Sequence, residues 1–225
     1  QLSDTITSFK FDWHYLPGTV PPEVKQVVSE ANSFDLYESG QFIHLLYDQQ
    51  PLSPYWNLVE PILNSLNKEI VEIGRIKANL LTQNNSGKAI MNCPHVDRDR
   101  EGWHSMIYYV NDSDGDTVMF DKKGNQGFDN LQIQDTASPK KNTAVMFESD
   151  WYHTSTNPVD NHTRIVLNFI IKFKNGNTFK KDHQKIRKRA QWATKDGRLQ
   201  GPGGYGHGCN ATTPPDWFAV GSHTG

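Results

Sequence analysis

Hydrophobic and polar positions follow different periods in successive stretches of this 225-residue chain. Between Ile6 and Leu16, the residues Phe9, Phe11, Trp13 and Tyr15 occupy every second position, which predicts a strand with one aromatic face. Pro17-Gly18 ends it. Pro21-Pro22-Glu23 predicts the opening of a helix through about Asn32, with Val24, Val27, Val28 and Ala31 as its apolar stripe. Gln41 to Tyr47 reads as a short apolar strand. Ser53-Pro54 begins a second helix carrying Trp56, Val59, Ile62, Leu63 and Leu66 at helical spacing. Both helices read as packing elements.

From Glu69 the period shortens to that of strands. The pattern predicts strands to about Leu81, over Ala89–Asp97, Ser105–Asn111, Thr117–Phe120, Thr143–Phe147 and Thr163–Phe173. Asn84-Asn85-Ser86-Gly87 and Asp112–Asp116 punctuate them as turns. The polar stretch 121–138 reads as loop between short strands. Several short strands separated by turn signals predict a mainly β protein, a sandwich or barrel, with the N-terminal helices packed outside. The length fits one domain spanning 1–225. Within it, 1–68 is the N-terminal strand and supporting helices, 69–173 the β core, and 174–225 a C-terminal segment. That last segment holds a basic helix over Lys180–Ala193 and a Gly/Pro-rich stretch, Gly201–Gly225, that is either an arm on the barrel or a flexible end.

Composition narrows the function classes. Hydrophobic residues are 36% and the formal net charge is −2, so no global field draws the chain to nucleic acid or a membrane surface. No apolar run approaches a membrane span, and a cytoplasmic protein is expected. Two cysteines, Cys93 and Cys209, form neither a disulfide framework nor a zinc-cluster spacing. They read as thiols in a reducing compartment. The Asn-x-Ser/Thr triplets at Asn84, Asn111, Asn161 and Asn210 carry no weight without secretion.

The candidate chemistry centres on Cys93-Pro94-His95-Val96-Asp97. His95 and Asp97, two residues apart on an extended segment, project to one face. An imidazole and a carboxylate presented together, with one further histidine, make the 2-His-1-carboxylate facial triad of non-haem Fe(II) oxygenases. His153, just past the predicted strand Thr143–Phe147, is the candidate third ligand. Such a triad leaves coordination sites open for a bidentate cosubstrate and O2. Arg164 follows at the head of the last long strand and shares a face with Val166, Asn168 and Ile170. A buried arginine there needs an anionic partner, and a dicarboxylate cosubstrate would supply it through two parallel hydrogen bonds.

These pieces occur in the order Pro94-His95-Val96-Asp97, Ile107-Tyr108-Tyr109-Val110-Asn111, Gly115-Asp116-Thr117-Val118-Met119-Phe120, Pro139 with Ala144-Val145-Met146-Phe147, His153, and Arg164-Ile165-Val166-Leu167-Asn168-Phe169. Over about residues 77–173 the chain resembles the Fe(II)- and 2-oxoglutarate-dependent dioxygenases of the prolyl-4-hydroxylase-like group, in a short stand-alone form like those of bacteria and their viruses. The resemblance implies a double-stranded β-helix, or jelly-roll. It implies His95, Asp97 and His153 as iron ligands and Arg164 as the partner of the distal 2-oxoglutarate carboxylate. It suggests Tyr109 as a hydroxyl donor to that carboxylate, against the plain alternative of a core aromatic. The implied cofactors are Fe(II), 2-oxoglutarate and O2, with ascorbate as a possible stimulant. Two departures stand out. The family often has Gly-Gly before the threonine where this chain has Gly115-Asp116. Collagen-type prolyl hydroxylases usually carry lysine in place of Arg164.

The implied activity is hydroxylation of an unactivated C–H, a peptidyl proline being one candidate. An intact Asp97 separates the chain from related halogenases, which carry a small residue there. A nucleic-acid demethylase is the first rival, from the basic stretch 172–189, although no second arginine follows Arg164 in the pattern of such enzymes. A free amino-acid or metabolite hydroxylase and a non-catalytic jelly-roll metal-binding module are the others. Peptide, protein and small-molecule substrates all remain open, as does the oligomeric state. The loops 98–104 and 121–138, Trp151 and the C-terminal tail are expected to shape the mouth, where Arg98, Arg100 and Trp103 could meet a peptide or a small acidic molecule.

Overall fold

The computed structural model describes residues 2–36, 39–174 and, by its backbone, 218–221. The expected basic helix, most of the Gly/Pro-rich tail and Cys209 lie outside the described residues. Within them the chain runs α1 (Leu2–Ile6), β1 (His14–Leu16), α2 (Pro22–Asn32), β2 (Gln41–Asp48), β3 (Gln50–Pro51) and α3 (Trp56–Asn64), then β4 (Ile70–Thr82), β5 (Trp103–Tyr109), β6 (Thr117–Lys123), β7 (Ile133–Ala137), β8 (Thr143–Glu148), β9 (Trp151–Ser155), β10 (Thr163–Phe173) and β11 (Phe218–Gly221).

The strands make two antiparallel sheets. The major sheet has eight strands in the order β1-β2-β4-β10-β5-β8-β11, with β3 beside β2, and the minor sheet has three in the order β7-β6-β9. From β5 to β10 the chain crosses repeatedly between the sheets, with β5, β8 and β10 in the major one and β6, β7 and β9 in the minor one, which is the double-stranded β-helix. β10 lies at the centre of the major sheet and is buried along nearly its whole length. Its two faces serve different partners. Ile165, Leu167, Phe169, Ile171 and Phe173 pack with Ile6, Leu46, Val59 and Leu63 under the helices. Val166 packs on the other face with Ile107, Tyr109, Met119, Val145 and Phe147, inside the barrel.

Ladder register carries that inner face across the sheet. Asn168 is paired with Lys77 on one side and Ile107 on the other, and Ile170 with Arg75 and Ser105. Direct partners in a ladder share a face, so the barrel floor at these two levels is unusually polar. The β10–β4 register shifts between Ile170 and Ile171, leaving Gly74 as the extra residue of a bulge.

Three expectations need correction. The alternation from Ile6 to Leu16 is not one strand. The chain there is a short helix, a turn and only then β1, with Thr7 N–H and its hydroxyl both donating to Ser3 O, at 3.0 and 2.9 Å. The aromatic side chains part company: Phe9 is 95% exposed, whereas Phe11 is buried between the His44 and Tyr55 rings. Docking of Phe11 in the core overrides the local period. Second, Ala89–Asp97 is no regular strand, only an extended segment with isolated bridges at Met91 and His95. Pro94 has no N–H to give a ladder. Third, the stretch 121–138, expected as loop, contains β7. In the tail, β11 pairs antiparallel with β8.

Candidate active site

The extended segment 91–97 lies against β9. His95 and His153 exchange both backbone hydrogen bonds, His95 N–H to His153 O at 3.0 Å and His153 N–H to His95 O at 2.9 Å. Asn92 N–H donates to Ser155 O, and the Thr154 hydroxyl to Asn92 O. At the other end, the backbone N–H of Asp97 donates to Ser149 O. A segment without its own ladder is thereby fixed at both ends. Val96 separates the two candidate ligands, which return to the same side. Cys93 does not join them: Pro94 breaks the alternation, and Cys93 is buried with Val28 and Leu36.

His95, Asp97 and His153 each present one ligand atom, and these atoms lie within 4.8 Å of one another. The Nδ1 atoms of His95 and His153 face the carbonyls of Cys93 and Trp151, at 3.1 and 3.0 Å. A carbonyl only accepts, so each Nδ1 carries the proton and each Nε2 keeps its lone pair for a metal. Burial, helped by the neighbouring His153, depresses the pKa of His95 to about 4, which keeps it in the neutral, ligating form. Burial opposes ionisation of Asp97. A hydrogen bond and charge from His153 when that ring is protonated, with the charge of His95 and the Ser105 hydroxyl, outweigh it and hold the carboxyl well below the usual carboxylate range.

Asp97 is held from three strands. The Ser105 hydroxyl of β5 donates to Oδ2 at 2.7 Å, and Asn168 Nδ2 of β10 reaches both oxygens at 3.3 and 3.2 Å. Arg75 of β4 stands 3.5 Å from Oδ1. None of these three is prominent in the sequence. Asn168 shares the Arg164 face by alternation, but Ser105 and Arg75 are found only through register.

Further down the barrel, Arg164 is buried. Its Nε donates to Gly115 O at 2.7 Å and its Nη2 to Thr117 Oγ1 at 2.8 Å. Among the described residues no carboxylate pairs with it. Burial lowers its pKa, yet a guanidinium keeps its proton. Tyr109 donates to the same Thr117 oxygen at 2.8 Å. Burial pushes the Tyr109 phenol up against the pull of Arg164, so it stays a donor. Thr117 thus gathers the two residues expected at the distal carboxylate. The sequence holds no cue for it beyond its place after Gly115-Asp116.

Gly115 makes this cradle possible. A Cβ there would lie 2.7 Å from Thr156 O and 2.9 Å from Arg164 Cδ. Gly115→Ala is expected to displace the Arg164 stem and destabilise the fold by ~1–3 kcal/mol, read as a lowered thermal midpoint in the metal-free protein.

Of the mouth residues, Arg98 lies with its guanidinium carbon 3.9 Å above the Trp103 ring. Arg100 is exposed. Lys123 is paired with Glu148 and Asp150 and stands 5.3 Å over the Trp151 ring. Among the described residues no helix is long and apolar enough to cross a membrane.

Residues 85–172 match the model of the 2OG-Fe(II) oxygenase superfamily, a stretch that contains all three candidate ligands, Tyr109, Thr117 and Arg164. No curated protein matches the chain. Among solved structures it is similar to a 2OG-Fe(II) oxygenase family oxidoreductase from Burkholderia pseudomallei, at 11% identity and TM-score 0.44, covering 76% of this chain and 89% of that one. It is also similar to a prolyl-4-hydroxylase from Pseudomonas putida, at 16% identity and TM-score 0.39, over 76% and 96% of the two chains. A Trichoplax adhaerens prolyl hydroxylase in complex with a hypoxia inducible factor peptide fragment matches at 9% identity and TM-score 0.38, over 80% and 90%. The match to the 2OG-Fe(II) oxygenase superfamily thus rests on residues 85–172, the stretch that carries the whole candidate site.

Proposed function

We propose that the chain hydroxylates an unactivated C–H, with His95, Asp97 and His153 as the iron ligands and Arg164 as the anchor of the distal 2-oxoglutarate carboxylate. The observation that carries this reading is the convergence of two Nε2 atoms and one ionised carboxylate while both Nδ1 atoms are spent on backbone carbonyls. That donor set, two imidazoles and one carboxylate, suits Fe(II). Iron in such a site, with 2-oxoglutarate and O2, supplies the oxidising power: one oxygen atom leaves in succinate as CO2 is released, and the other enters the substrate C–H.

The chain's own residues do the positioning. Ser105 and Asn168 orient the Asp97 carboxylate so that it does not turn away when a metal is absent. Arg164 and Tyr109 offer a guanidinium and a phenol to one end of a dicarboxylate, with Thr117 aligning both. Buried walls of Ile107, Val145, Phe147 and Val166 keep water from the space between. A carboxylate retained at position 97 fits hydroxylation better than halogenation. Peptidyl proline stays among the candidate substrates through the resemblance to prolyl hydroxylases.

The test is succinate release by the purified protein with Fe(II), 2-oxoglutarate and ascorbate, which is expected to stimulate. Tighter 2-oxoglutarate binding in the presence of Fe(II) than in its absence is the expected companion result. Affinity that is indifferent to metal would overturn the reading.

A further inference from the structure

Three cations border the proposed iron site, and among the described residues only Arg75 has a carboxylate, Asp97, as an ion-pair partner. Lys77 projects from β4 onto the barrel floor in the same row as Asn168, the residue that grips Asp97. It is half-buried, and among the described residues its ammonium has neither a hydrogen bond nor an ion pair. It lies close enough to the metal-binding cluster to feel Asp97 and to act on His95. Arg75, one row nearer the mouth, approaches Asp97 only at 3.5 Å, and its buried Nε has no partner. Arg98 is held in place at the bulge: a Cβ on Gly74 would fall 2.8 Å from its Nη1 and 2.8 Å from the Trp103 ring. That Nη1 is likewise buried without a partner.

Of the nearby carboxylates, Asp97, Glu148 and Asp150 are already committed. Asp97 accepts from Ser105 and Asn168 and faces Arg75 and His153, which uses its acceptor sites. Glu148 and Asp150, which flank Ser149, are taken by Lys123. Asp99 is exposed and lies beside Gly124. A divalent ion bound between His95, Asp97 and His153 would add to the imbalance. Burying like charges without a counter-charge is costly, so the missing anion has to arrive with a ligand. It is not the distal carboxylate assigned to Arg164, and the other carboxylate of 2-oxoglutarate is its one rival. Lys77 sits at the Asn168 level, four residues along β10 from Arg164, or ~13 Å at the rise of a strand.

We infer that Lys77, with Arg75 and Arg98 beside it, forms a carboxylate-binding subsite next to the proposed iron centre, and that the substrate is therefore an acid, presenting a carboxylate near the C–H to be oxidised. This rests on the oxygenase reading and sharpens it. It favours a free amino acid or other small carboxylic acid over an internal, uncharged prolyl residue of a peptide.

The probe pair is propionate and propionamide, equal in shape and different in charge. Saturation-transfer NMR on the full chain, metal-free and again with Zn(II) and 2-oxoglutarate, gives the affinity of each. Propionate is expected to bind at least tenfold more tightly than propionamide in both states. Lys77→Met is expected to remove that preference and Lys77→Arg to keep it. Equal binding of acid and amide, or a preference that survives Lys77→Met, overturns the subsite. So does a Lys77→Met variant whose loss falls on 2-oxoglutarate affinity and not on propionate, since the anion held would then be the cosubstrate's. The metal-free arm does not depend on iron, so failure to load metal counts against the oxygenase reading alone. A second arm compares succinate formation with free amino acids and with their C-terminal amides. Turnover with the amides as fast as with the acids is the opposing result.

Discussion

His153→Ala should abolish 2-oxoglutarate turnover and weaken metal binding by at least a hundredfold. Losing a residue that merely orients a ligand costs ten- to a hundredfold in metal affinity, and loss of a ligand costs more. The substitution also has a folding component. The His153 ring is buried, 4.7 Å from the His95 ring and 4.7 Å from Phe147, so truncation leaves a cavity worth ~2 kcal/mol or more. The two effects separate cleanly. Melting in the presence of a chelator reports the cavity alone, and the metal-induced rise in melting temperature reports the ligand. His153→Gln, which fills more of the space, should recover part of the first and little of the second. A variant that keeps both metal-induced stabilisation and turnover would remove His153 from the proposed ligand set.

Arg164→Met should raise the KM for 2-oxoglutarate by two orders of magnitude or more while leaving the metal-free protein close to wild-type stability. Hydrogen bonds to charged groups contribute ~1.5–3 kcal/mol each, and two of them on one carboxylate correspond to a factor of 10² or more. The small effect on stability comes from opposition. Methionine relieves the cost of burying a guanidinium that has no carboxylate partner, but it strands Gly115 O, to which Nε donates. Thr117 Oγ1 retains the Tyr109 hydroxyl. Calorimetry on the free protein and a 2-oxoglutarate saturation curve check both halves. Collapse of stability with unchanged KM would make Arg164 a structural residue.

Strand alternation and turn chemistry were enough to read the β core, and the order of His95, Asp97, His153 and Arg164 enough to pick out the residues that the fold brings to one barrel. Long segments with one period, such as Thr163–Phe173 and Gln41–Tyr47, kept their elements because burial on the sheet agrees with local preference. Phe9 to Tyr15 misled because four aromatics at period two need not share an environment; only tertiary contacts reveal that Phe11 docks and Phe9 does not. The C-terminal β11 borrows its order from the edge of β8, a partner more than seventy positions away, so no local pattern announces it. The supporting residues Ser105, Thr117, Arg75 and Lys77 were silent for a related reason. Each matters through register with a distant strand, and register is invisible in a single sequence.

The reciprocal backbone bonds between His95 and His153 have a consequence for how a metal would be taken up. The spacing of the two imidazoles is fixed by main-chain atoms of two segments that the barrel already holds together. The ordering entropy of those segments is therefore lost when the chain folds and not when the ion arrives. Affinity for the ion is undiminished by any folding step, and a chelator should be able to empty the site and leave the jelly-roll standing. In zinc fingers the metal is the reason the chain folds; here the chain would be a ready-made vessel, waiting at equilibrium for whichever divalent ion its compartment supplies.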